Sequence, residues 1–95
     1  MKHGDRRKAQ ILEAGLQLWR DGESNVTARG IAKLLGMTHT AILYHYKNSD
    51  ELKLSIARHA VVSKDRIVLP MLIVSRHPSV AHFTDADRDF YLKML

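Results

Sequence analysis

The chain of 95 residues and 10.8 kDa has room for one small domain and not for a large catalytic cleft, since so short a chain buries little more than ~60% of its unfolded surface. Fifteen Lys and Arg against ten Asp and Glu give a net charge of +5, which suits an anionic partner, and 45% apolar residues fit a globular chain. The absence of cysteine excludes a disulfide framework and thiolate metal sites. The N-terminal MKHGDRRKAQ carries no secretory signal, and the longest apolar run, Ile67 to Val74, is interrupted by Pro70 and far below the ~20 residues that span a bilayer. A soluble, cytoplasmic protein with no membrane association is expected.

Along the chain, apolar residues at helical spacing between Arg6 and about Arg20 predict a first helix, capped by Asp5 and stopped at Asp21-Gly22. Thr27 opens a second helix whose apolar positions Ile31, Leu34 and Leu35 run up to Gly36, where a left-handed residue ends it cheaply. Only Met37 separates that glycine from Thr38, the N-cap of a third helix over roughly His39 to Tyr46. Two short helices joined by so tight a turn cross steeply, which is the helix-turn-helix arrangement. Ser49, followed by Asp50 and Glu51, caps a fourth helix that reaches at least Val62.

Beyond residue 62 the segment IVLPMLIV fits a continuation of the fourth helix, a fifth helix with Pro70 in its first turn, or a buried strand. Helix is favoured, because a lone strand leaves its amides unpaired. Thr84-Asp85-Ala86-Asp87 starts a last short helix ending at Leu95. The expected architecture is therefore an all-α small helical bundle, with a helix-turn-helix domain over residues 1–62 and a short helical extension over 63–95. The chain has no glycine-rich phosphate loop, no G-x-S-x-G and no cysteine nucleophile, and its six histidines contain no H-x-x-x-H pair on a predicted helix. No enzyme activity, cofactor or metal is expected.

The informative stretch is TARGIAKLLGMTHTAILYHY, Thr27 to Tyr46. Small Ala32 lets two helices approach, Gly36 makes the turn, and Ile31, Leu35, Met37 and Ile42 form the core that fixes the crossing angle. The outer face of the third helix then carries Thr38, His39, Thr40, Leu43 and Tyr44, a mostly short-chained polar surface of the kind that enters a major groove. Thr27 and Thr38 lie at helix starts, where hydroxyl and unpaired amides favour a phosphate oxygen. His39 and Thr40 are the candidates for base-edge contacts, with Ala41 packing on a thymine methyl. Arg6, Arg7 and Lys8 are placed to follow the backbone or enter a minor groove.

These residues resemble the DNA-binding domain of the TetR family of bacterial transcriptional regulators. The likeness runs through Ile11-Leu12 and Ala14, Thr27, Ile31-Ala32, Gly36-Met37-Thr38, Ile42, His45-Tyr46 and Asp50-Glu51-Leu52, covering residues 6 to 62. It implies phosphate or nearby base contacts for Arg29 and Lys47, a phosphate contact for His45, and a core role for Tyr46. Two departures stand beside it. The family's tyrosine position is Leu43 here, with Tyr44 one residue later, about one hundred degrees round the helix. The family also continues into a long dimerising, inducer-binding domain, for which about thirty-three residues remain, so the resemblance brings no small-molecule inducer with it.

The expectation is a sequence-specific double-stranded DNA-binding regulator, a repressor acting as a homodimer on a palindromic operator and nucleoid-associated in a bacterial or phage-type cytoplasm. Ile67 to Val74 and the Phe83, Phe90, Tyr91, Leu92, Leu95 segment either pair the copies or cover the back of helices one and four. The alternative is a helical protein-interaction module, such as a decoy partner of a full-length regulator. A third reading is an N-terminal piece of a longer inducible regulator. Met1 to Ala60 carries ten cations against six acids, and Val61 to Leu95 five against four.

Overall fold

A computed structural model describes residues 3–93. Among them every regular element is a helix: α1 His3–Asp21, α2 Ala28–Leu35, α3 His39–His45, α4 Ser49–Ser63, α5 Val68–Val74 and α6 Asp85–Leu92, with single 3-10 turns at Glu23–Asn25 and Pro78–Val80. VLPMLIV is helical because Pro70 is the third residue of α5, where a missing N–H removes no intrahelical bond. The chain forms two compact units, one up to Ile56 and one from Ala57 on, divided inside α4.

In the first unit, Ile11, Leu16 and Trp19 of α1 are buried with Val26, Ile31 and Ala32, Ile42, and Leu52 and Ile56. Each such large apolar side chain contributes about 1.5–3 kcal/mol on removal from water. Gly15 sets one of these approaches: a Cβ built on it falls 2.7 Å from Ile56 Cγ1, so α1 and Ile56 of α4 come together only because no side chain intervenes.

Two capping assignments are corrected. α1 is already helical at His3, so Asp5 lies inside the helix rather than before it. α4 is capped by Asn48 and not Ser49: Asn48 Oδ1 accepts the Glu51 amide at 2.8 Å and its carbonyl accepts Leu52 N at 3.0 Å, leaving Ser49 as the first helical residue. Leu34, expected on the buried face of α2, is 49% exposed. α2 buries Ala28, Ile31 and Ala32, and Leu34 sits about 100° round the helix from Leu35.

The second unit is organised round α5, which buries Val68, Leu69, Pro70, Leu72 and Ile73 and packs on α6 and the Pro78–Val80 turn. The expected pairing run is thus mostly interior, and only Ile67 and Val74 at its ends are exposed. Asp65 starts α5, its Oδ1 accepting the amides of Ile67 at 3.0 Å and Val68 at 2.9 Å. α4 and α5 end on left-handed residues that are not glycine, Lys64 at φ 55° and Arg76 at φ 56°. α6 opens on a reciprocal box in which Thr84 Oγ1 accepts Asp87 N at 3.1 Å and Asp87 accepts Thr84 N at 3.0 Å. The Thr84 amide, then its side chain, holds the Asp87 carboxyl below the usual carboxylate range, with His82 adding to the effect. The expected end at Leu95 lies outside the described residues.

Candidate nucleic-acid interface

The α2–turn–α3 segment is fixed at four points by its own sequence. Thr27 Oγ1 accepts Gly30 N at 2.9 Å, and Thr38 Oγ1 accepts Ala41 N at 3.2 Å. Gly36 takes φ 67°, a left-handed conformation that an L side chain resists, and Met37 N then reaches back to the Ala32 carbonyl at 2.9 Å. Ile31 and Ile42 are fully buried between the helices, whereas Leu35 and Met37 are half-buried. The two threonine oxygens act as acceptors in their caps, and each hydroxyl retains its proton to donate. Capping and a phosphate contact are therefore compatible roles.

What α3 presents outward follows from which residues it buries. Ile42 and the C-cap Tyr46 point inward, and burial pushes the Tyr46 phenol above its ordinary value, as expected of a core group. Thr38, His39 and Thr40 are exposed, and Tyr44 is 86% exposed. Thr40 and Tyr44, four residues apart, share one face of the helix. Leu43 is half-buried, so the aromatic side chain that stands out from α3 is Tyr44. His45 is half-buried, its ring edge-on to Tyr44 at 5.4 Å, and Ala41 is half-buried as well.

Exposed cations flank this face: Arg29 in the first turn of α2, Lys33 in its last, and Lys47 between α3 and α4. From Ser24 to Ser49 there is no Asp or Glu at all. Of the three N-terminal cations, Arg6 and Lys8 are exposed, but Arg7 is half-buried, its Nη1 3.6 Å from Met37 Sδ and 3.2 Å from Gln10 Oε1. Arg7 thus braces α1 against the α2–α3 turn. Thirty residues separate it from Met37, and no local pattern in the sequence marks the pair. Among the described residues no group of three or more His, Cys, Asp or Glu is placed to hold a metal ion, and no helix is long and apolar enough to cross a membrane.

No protein-family model, curated protein or solved structure matches this chain. The reading of the site rests on its own geometry: a short helix held by caps at its start and by a buried isoleucine, with a polar outer face and no carboxylate nearby in sequence.

Proposed function

We propose that this protein is a TetR-type DNA-binding regulator, a repressor that binds double-stranded DNA sequence-specifically as a homodimer on a palindromic operator, associated with the nucleoid in a bacterial or phage-type cytoplasm. The observation that carries this reading is the outer face of α3, where Thr38, His39, Thr40 and Tyr44 are exposed on a helix whose crossing with α2 is fixed by Gly36. Short polar side chains on a steeply crossing helix fit the width of a major groove and reach base edges. Thr27, Arg29, His45 and Lys47 hold phosphates, and His39 and Thr40 read bases. Pairing two copies doubles the few contacts that one seven-residue helix makes. The exposed Val62, Ile67, Val74 and Phe90 of the second unit are the apolar residues available for pairing. No catalytic role is assigned.

Variants made against a duplex selected from a random pool test the division of labour. Lys47→Ala is expected to weaken every duplex alike and to lower the salt slope by about one, whereas His39→Ala shifts preference at one base position by about 1–3 kcal/mol. Equal losses for both variants on all duplexes would remove the distinction between holding and reading residues.

The second reading, a protein-interaction module, is favoured by one feature. Leu34 and Leu35 of α2 line an open groove with Ala9, Ala14 and Gln17 of α1, and with Arg6 and Arg20 among its charged members. A Leu34→Ser variant that keeps full DNA affinity separates that groove from the DNA-binding function.

A further inference from the structure

The second unit holds a cavity of about 550 Å³, within the range that small-molecule sites occupy, lined by Ile73, Arg76, His77, Val80, Ala81 and Arg88. Its wall is two-sided in chemistry. Ile73 and Val80 are buried and, with Ala81, give an apolar surface. Arg76 and Arg88 bring two guanidiniums, and none of the lining residues is acidic. Arg88 does touch a carboxylate from outside the lining, Asp85 Oδ1 at 3.7 Å, but that Asp85 side chain is fully exposed and the pair is long, so it exchanges readily for a better acceptor. The backbone at Arg76 is held in place on both sides. Arg76 is the left-handed residue closing α5, its amide on the Ile73 carbonyl at 3.1 Å and the next amide, His77 N, on Leu72 O at 2.9 Å. The His77 ring, which also lines the cavity, is oriented by its Nδ1 accepting the Ser79 amide at 3.1 Å.

We propose that the C-terminal unit binds a small amphipathic carboxylate, its carboxylate engaged by Arg76 and Arg88 and its apolar body lying on Ile73, Val80 and Ala81. Guanidinium matches a carboxylate through paired, charge-assisted hydrogen bonds. A fully hydrated inorganic anion makes no use of the apolar wall, and a neutral apolar molecule leaves the cations without a counter-charge. This site is independent of the DNA-binding reading and is tested without DNA.

The test is a titration of the full chain with benzoate, with benzamide and with inorganic phosphate, followed by backbone amide NMR shifts. Benzoate is expected to move the amides of Arg76, His77, Ala81 and Arg88 saturably, and benzamide and phosphate to bind at least about tenfold more weakly. Arg88→Gln and Arg76→Gly are each expected to weaken benzoate about tenfold or more. Arg76→Gly keeps the fold, because glycine adopts the left-handed turn without strain, so its melting temperature stays level or rises. Absence of saturable shifts at about 10 mM benzoate overturns the proposal. Equal binding of benzamide reduces the cavity to an apolar patch, and equal binding of phosphate reduces it to a cationic one; either result overturns it, as does unchanged benzoate affinity in both variants.

Discussion

Helices α3, HTAILYH, and α5, VLPMLIV, are both seven residues long, and the molecule uses them in opposite ways. α5 buries five of its residues and is held by what surrounds it, with Asp65 closing its start from outside the helix. α3 buries Ile42 alone and is held by its threonine cap and by the glycine turn before it. A helix supported mainly at its ends leaves its flanks open to a partner, whereas one supported by burial on most sides shows little of itself, in α5 chiefly Val74 at its end. The contrast makes α3 the element with open flanks in the first unit and α5 the buried centre of the second.

The largest effect that distinguishes them is in stability. Leu72→Ala in α5 is expected to cost about 2–5 kcal/mol in urea unfolding, because Leu72 is fully buried and its removal leaves a cavity. Tyr44→Ala in α3 is expected to stay within about 0.5 kcal/mol of the parent while weakening DNA binding. A Tyr44 variant that unfolds as readily as the Leu72 variant would show that α3 is held by its outer face and would dissolve the contrast.

How much of this was legible in the sequence differs between the units for the same reason. In the first, the devices are local and carried by residue types that advertise them: Thr27 and Thr38 as caps, Gly36 as the left-handed turn, Ile31 and Ile42 as the core. In the second, the left-handed positions are Lys64 and Arg76, which have no glycine to mark them, and the start of α5 depends on Asp65 bonding amides two and three residues on. Even in the first unit, tertiary decisions were out of reach. The contact of Gly15 with Ile56 and the Arg7–Met37 brace join residues thirty or more apart, and the exposure of Leu34 follows from which face of α2 is covered. Within the candidate site, the sequence puts both Leu43 and Tyr44 on the outer face of α3, and the structure leaves Tyr44 as the exposed one, with Leu43 half-buried.

A smaller effect concerns how α3 is held at its start. Thr38→Ala is expected to cost about 1 kcal/mol, the usual loss for an N-cap, and to lower DNA affinity by fraying the turn that carries His39 and Thr40. Thermal unfolding and duplex titration of the same variant check both halves, and a stability loss with unchanged DNA affinity would detach the cap from recognition.

The smallest effect is on pH and belongs to α6. Asp87 has a depressed pKa in the folded chain, so its ionised form supports the capping box. That contribution is fully present above the ordinary carboxylate value of 3.8 and is lost as pH falls through the lower folded value. Amide exchange of α6 is expected to accelerate in that acid window in the parent and to be independent of it in Asp87→Asn, with α3 unaffected by the substitution. Matching acid profiles in parent and variant would assign the effect to another group.

The proposed function has the exposed face of α3 and its flanking cations bind duplex DNA. Titration of the full chain with its selected duplex across a salt series tests it most directly. Each phosphate held contributes about 0.9 to the slope of log affinity against log salt, so a slope steeper than about −3, with one sequence clearly preferred over random duplex, is the predicted result. No binding to any duplex at low salt would contradict the account.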